Sequence, residues 1–222
     1  MSFLQLDYLN EFSLLRILSA NSSHDMHIDV PEKKYSYLEY QQLIHELLDS
    51  GKVTGDDQSE SLLEYTKLNM HRMHRWEKTF SPNPALVKKI GDLQTPMRWV
   101  VITEGWCGDA AQQIPVIEKL ASYNPLITTH YVLRDENPDF MDLFLTNGSK
   151  SIPIWICLDD KSELVWKWGP RPLVAAEMLQ LLKNEGVDVS VQKQELHGWY
   201  AKNKHHAFQS EIEHLLAHHS SI

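Results

Sequence analysis

Cys107 is the residue through which this sequence can do covalent chemistry. It stands in Trp106-Cys107-Gly108-Asp109, after the β-branched run Val100-Val101-Ile102-Thr103 and ahead of a helical pattern that reaches Leu120. Strand, short loop and helix in that order put the sulfur at a helix N-terminus. There the unpaired backbone N–H groups and the positive end of the helix dipole favour an anion. A thiolate is such an anion, and it is the nucleophilic form of cysteine. Burial as an inert apolar side chain is the competing reading of a free cysteine; the Trp-Cys-Gly context at a strand-to-helix loop favours the reactive one. Two carboxylates oppose activation. Asp109 suits the first helical turn but repels a neighbouring thiolate, and Glu104 acts in the same sense where it is close. The expectation is therefore a modestly activated thiol.

Other residues that could bind or react carry weaker patterns. The 12 histidines raise the question of a metal. His214 and His218 can share a helix face, and so can His71 and His74, but no carboxylate or cysteine completes either pair at tetrahedral-site spacing. They are expected on solvated helix faces, with no metal and no cofactor. Trp99, Trp155, Trp166 and Trp168 fall in strand patterns and are expected in the core, anchoring the additional helices.

Composition narrows the function classes. In 222 residues, 42% hydrophobic content suffices for a substantial core, and 23% charged residues are ordinary for a soluble chain. A formal charge of −9 argues against nucleic acid, whose phosphates demand a basic footprint. No apolar stretch approaches the ~20 residues of a membrane span. The opening residues show no basic segment before an apolar run, so no signal peptide is expected. Two cysteines make no disulfide scaffold, which points to a reducing cytosol.

The elements that would position Cys107 can be taken in order. Residues 1–30 are a weakly patterned, rather apolar opening that suits a short packed helix. Ser36 and Glu39 form a capping-box pattern for a helix over 36–49, with Tyr37, Tyr40, Ile44, Leu47 and Leu48 at helical spacing. A second helix is expected over 58–79, with His71, Arg72, His74, Arg75 and Lys78 as a solvated basic band. Asn83 as N-cap and Pro84 at the first position open a short helix to about residue 90. From Pro96 the period changes. A buried strand over 98–103, a helix over 107–122 kinked at Pro115, a strand over 127–133 and a short helix over 139–145 follow. Strands over 154–158 and 163–168 form a hairpin, and a helix over 173–184 stops at Gly186. Residues 189–222 suit a long helix or a helix pair. The α-β-α-β-α-β-β-α order from Pro84 fits a mixed sheet covered by helices on both faces.

The stretch 100–120 resembles the active-site region of the thioredoxin superfamily, which reads W-C-x-x-C at a strand end with a proline in the following helix. Trp106, Cys107, Gly108 and Pro115 match; Ala110 stands in place of the second cysteine, so no disulfide can close within the motif. The resemblance covers roughly 84–186, with Ile152-Pro153 as its second strong motif and Asp135-Glu136-Asn137-Pro138 in support. It implies a cis Pro153 facing the cysteine and holding the backbone of Ile152 open to an extended peptide or glutathione. An ordinary trans proline at a strand start is the alternative. It also places Val101 where the family has a buried aspartate, so that proton relay is absent. With Pro153 against Cys107, Cys157 would lie ~13 Å along the strand, beyond the ~7 Å Cα separation a disulfide tolerates, and is expected in the core. Arg171 falls beside the position of a family glycine near the active site, where it would offer a charge to a thiolate or a fork to a carboxylate; a surface arginine is the alternative.

The fold expected is α/β: a thioredoxin-like mixed sheet over 84–186, with helical extensions over 1–83 and 187–222. The resemblance, to bacterial thioredoxin-family proteins, implies a cytoplasmic monothiol–disulfide oxidoreductase. Cys107 would form mixed disulfides with protein thiols or glutathione, and Trp106, Gly108, Asp109, Ile152, Pro153 and Arg171 would form the substrate surface. The rival is a catalytically retired binding or scaffolding module that uses the same groove, with the helical arms making a homodimer. A third reading, weaker than both, is a peroxide sensor passing through a sulfenic acid.

Overall fold

The computed structural model describes residues 26–219. In chain order its helices and strands are α1 (Tyr37–Asp49), α2 (Glu60–Thr79), α3 (Pro84–Gly91), β1 (Met97–Thr103), α4 (Gly108–Ala121) and β2 (Ile127–Leu133). There follow α5 (Pro138–Asp142), β3 (Ile154–Leu158), β4 (Leu164–Trp168), α6 (Leu173–Asn184), α7 (Val189–Asn203) and α8 (His206–His219). They gather into two compact units. Residues 26–81 and 90–170 make the first; residues 82–89 and 171–219 make the second. The first unit therefore joins the two N-terminal helices to the sheet, instead of dividing the chain at 83 and 186. The apolar opening expected over 1–30 lies mostly outside the described residues.

The sheet of the first unit has the order β2-β1-β3-β4. β1 pairs in parallel with β2, from Met97 opposite Ile127 to Thr103 opposite Leu133. It pairs antiparallel with β3, from Arg98 opposite Leu158 to Ile102 opposite Ile154. β3 and β4 form an antiparallel hairpin with an irregularity at Cys157/Leu158. β1 and β3 are buried almost throughout, as strands covered on both faces are. Trp99, Trp155 and Trp166 pack on one another within this sheet, with edge-on ring contacts of 4.7 and 4.8 Å centred on Trp155. Their first partners are thus each other.

Residues 26–35 run along both margins of the sheet. At β4, Ile28 N donates to Ser162 O (2.8 Å) and Leu164 N to Met26 O (2.9 Å). At β2, Tyr35 and Tyr131 exchange both backbone bonds (2.9 and 2.8 Å). The two outer strands therefore each have a length of edge already paired.

Local chemistry sets the helix starts. Ser36 Oγ accepts from Glu39 N while Glu39 Oε2 accepts from Ser36 N, the reciprocal cap expected for α1. Asn83 Oδ1 accepts from Ala85 N at the start of α3. α2 begins at Glu60 and not at Gln58, because the Gln58 side chain is spent on the preceding loop: it accepts from Val53 N and donates to Val53 O and Gly55 O.

In the second unit, Ala175, Met178 and Leu182 of α6 pack against Leu196 and Tyr200 of α7, with Leu179, Val187 and Trp199 at the margin. The tail expected over 189–222 is a helix pair. Lys204 and His205 turn the chain between α7 and α8 in the left-handed region, at φ 48° and 65°. Glu211 Oε1 accepts from Leu173 N, an unpaired donor of the first turn of α6.

Candidate active site

The buried strand β1 delivers the chain at Thr103 to a short loop, Glu104-Gly105-Trp106, and Cys107 then caps α4. Cys107 N donates to Glu104 O (3.1 Å), and Cys107 O accepts from Ala111 N (3.1 Å). The sulfur occupies the place that Ser, Thr or Asp oxygen usually takes at an N-cap. It accepts from Ala110 N at 3.5 Å and donates its own proton to Ile152 O at 3.3 Å. An N–H pointing at the sulfur favours the thiolate. The residue is 7% exposed.

Across from the sulfur, the Ile152–Pro153 peptide bond is cis, and both residues are buried. The backbone of Gly169 passes so close to Pro153 that a side chain there would run into Pro153 O, and its φ of +124° lies in a region glycine favours. The Gly169–Pro170 bond is cis as well.

Around the loop, the N-terminal helices supply walls that sequence patterns did not foretell. Asn69 Nδ2 of α2 donates to Gly105 O (3.0 Å). Thr54 Oγ1 accepts from Gly105 N (2.9 Å), and Thr54 O accepts from Trp106 Nε1 (3.1 Å). A Cβ on Gly105 would press on Ile44 and Thr66. In the band along α2, His71, His74, Arg75 and Lys78 are exposed as expected, but Arg72 is half-buried. Arg72 donates to Asn69 Oδ1 (2.8 Å) and feels the charge of the buried Asp109.

Glu104 is fully buried. Its Oε1 accepts from Asp135 N (2.9 Å). Burial pushes its carboxyl up to about 7, and the Asp135 charge adds to this; the Thr54 hydroxyl, the Asp135 N–H and Arg134 oppose it. The acid is thus partly neutral near pH 7, so its repulsion of a Cys107 thiolate fades as the pH falls through that range. The phenol of Tyr40, buried on α1, senses both Glu104 and Cys107 and is itself pushed well up, chiefly by burial.

Arg134 lies on the loop after β2. Its guanidinium stands 4.7 Å over the Trp106 ring, its Nε donates to Asp135 Oδ1 (2.7 Å), and its Nη1 donates to Lys150 O (3.3 Å). The parallel register was the available signal: with Thr103 opposite Leu133, the residues just beyond each strand must meet.

Cys157 does not join this cluster. Cys157 lies in the strand core opposite Trp99, 3.7 Å from Met97 Sδ, and burial pushes its thiol well up. Both cysteines are free. Arg171 opens the second unit, half-buried, just ahead of α6. Among the described residues, no three His, Cys, Asp or Glu side chains gather as a metal site. No described helix is long and apolar enough to cross a membrane.

A mixed sheet whose strand-end loop carries a helix-capping thiol, opposite a cis proline at the head of the next strand, defines a protein of the thioredoxin fold. The chain belongs to the thioredoxin family: the family model described as Thioredoxin matches residues 55–184. Among solved structures it is similar to a 1.5 Å crystal structure of a protein of unknown function from Pseudomonas aeruginosa. The two are 16% identical over 81% of this chain and 98% of that one, with a TM-score of 0.50. It is also similar to an HIV epitope scaffold, at 16% identity over the same shares, with a TM-score of 0.47. At such identity the likeness concerns the fold alone. No curated protein matches the chain.

Proposed function

We propose that this chain is a monothiol–disulfide oxidoreductase of a reducing bacterial cytoplasm, acting through Cys107 on protein or glutathione disulfides. The observation that carries the reading is the sulfur's position at the N-cap of α4 with the Ala110 N–H directed at it, while the Ile152 carbonyl, which accepts the thiol proton, moderates the activation. The Cys107 thiolate attacks one sulfur of a disulfide. A bond forms between that sulfur and Cys107, and the other sulfur leaves as a thiolate. An external thiolate then attacks the mixed disulfide, takes the bound group as a new disulfide and returns Cys107 as a thiolate, which the helix N-terminus favours. Trp106 and Gly108 border the sulfur, the backbone beside Ile152 and cis Pro153 receives the extended substrate, and Asp109 tempers the activation.

The test is the pH dependence of Cys107 alkylation, with Cys157→Ala as background and Cys107→Ala as control. A midpoint clearly below the ~8.5 of a free thiol, with fast labelling, is the expected result. A midpoint at or above that value, or no labelling of the native protein, overturns it.

One observation favours the second reading. Cys107 is 7% exposed, and its loop is tied down by Thr54 and Asn69. In that reading the domain is a retired catalyst, a binding module whose groove beside Pro153 holds a partner peptide and whose helical arms pair as a homodimer. It predicts a thiol that native-state reagents do not reach.

A further inference from the structure

We propose that Arg134 is a docking point for a carboxylate carried by a small thiol or disulfide substrate of Cys107. The proposal rests on the preceding functional reading and names the substrate class of that same site.

The geometry has three parts. First, Arg134 is fixed. The indole of Trp106 lies under its plane at 4.7 Å, Asp135 holds Nε, and the Lys150 carbonyl holds Nη1. A guanidinium held in this way has already lost its rotamer freedom, so it gives up little more on binding. Second, it is reachable. The side chain is 23% exposed, and among the described residues its Nη2 has no hydrogen-bond partner, so two N–H groups remain to grip an anion. Third, its separation from the sulfur can be read from the chain. Arg134 bonds the carbonyl of Lys150, and Cys107 bonds the carbonyl of Ile152. Two residues of chain set these carbonyls no more than about 7 Å apart. A substrate sulfur placed on Cys107 therefore lies a few bonds' length from the free edge of the guanidinium.

That spacing selects a chemistry. A carboxylate about five bonds beyond the substrate's sulfur-bearing carbon, as the glycine carboxylate of glutathione is, can reach Arg134 while its sulfur meets Cys107, and an arginine fork matches a carboxylate in geometry. A small molecule also reaches a cysteine that is 7% exposed more readily than a folded partner does. The attraction is directional and does not come from a broad positive field. Asp135 accepts from Nε, on the edge that Nε shares with one Nη2 N–H, Lys150 pairs with Asp142, Lys33 pairs with Glu136, and the buried Glu104 and Asp109 flank Cys107 along the chain. A substrate with several negative charges gains nothing further there.

The test uses the full chain with Cys157→Ala and follows mixed-disulfide formation on Cys107 by mass. Three disulfides are compared: oxidised glutathione, its glycine-ester form, and neutral hydroxyethyl disulfide. Oxidised glutathione is expected to react about tenfold faster than its ester, the size of one hydrogen bond to a charged group. Arg134→Gln is expected to erase that difference while leaving the hydroxyethyl disulfide rate within about twofold, and Arg134→Lys to keep only part of it. Calorimetry of S-methylglutathione, which cannot react, reads the same contact without chemistry: binding to the reduced protein is expected to be lost in Arg134→Gln. Equal rates for acid and ester, or a uniform loss with all three disulfides, overturns the assignment of Arg134 and leaves the oxidoreductase reading standing. No reaction with any disulfide overturns that reading. Binding of S-methylglutathione that is indifferent to Arg134 then overturns the docking point as well.

Discussion

Cys107 and Cys157 differ in what their sulfurs touch. Cys107 accepts a helix N–H and donates to a loop carbonyl; Cys157 touches Met97 inside the sheet. Cys107→Ser is therefore expected to abolish mixed-disulfide formation, measured by mass after exposure to oxidised glutathione, while Cys157→Ala leaves it intact. Glu104 supports a prediction of another kind. Its folded pKa of about 7 lies above its ordinary 4.5, so the folded chain holds this proton over a range in which the unfolded chain has released it. The associated stability is fully present below about 4.5 and is lost as the pH rises through about 7, a change of order 3 kcal/mol. Glu104→Gln cannot ionise. The difference between wild type and variant in urea unfolding should thus shift by that amount between pH 4 and pH 8, in the variant's favour at the higher pH. A difference that does not vary with pH would mean that Glu104 ionises normally in the fold.

At the scale of elements, the loop 104–107 is held from outside its own strand and helix. Asn69 is buried on α2, and its amide is committed to Gly105 O. Asn69→Ala should cost about 1–3 kcal/mol, from an unsatisfied carbonyl and a small cavity. It should also speed Cys107 alkylation by freeing the loop; slower alkylation would contradict this account. Gly169→Ala puts a methyl group against the Pro153 carbonyl. It should lower stability by about 1–3 kcal/mol, the range for overpacking, and slow mixed-disulfide formation because Pro153 must shift. Thermal unfolding together with the rate measurement checks both effects. These positions also show what was legible beforehand. The Ser36–Glu39 cap, the Asn83-Pro84 helix start, the buried strands and the Trp-Cys-Gly loop are written in neighbours along the chain, and pattern reading finds them. Thr54, Asn69 and Arg134 act on the Cys107 loop across intervals of dozens of residues, and no local period encodes such a contact. Arg72 was hidden for the opposite reason: its four neighbours in the band are solvated, and one residue in five turned inward. Only the parallel register of β1 and β2, once drawn, brings Arg134 to Trp106.

At the scale of the molecule, residues 26–81, expected as a helical extension, fall in one compact unit with the sheet, because their loops and helices complete its surroundings. Neither cysteine supplies a crosslink. Cys157 lies four residues beyond Pro153, about 13 Å along the chain from the end that Cys107 faces, so no bridge within one chain is geometrically open. The urea midpoint should accordingly be the same with and without a reductant. A midpoint lowered by reductant would reveal a covalent link that the fold does not provide. The pairing of residues 26–35 with both outer strands carries a consequence for biosynthesis. Translation proceeds from the N-terminus, so these residues leave the ribosome well before Tyr131 and Glu163, the positions they will pair with. As each outer strand emerges, its partner on that side is already present in the same chain, ahead of any strand offered by a neighbouring polypeptide.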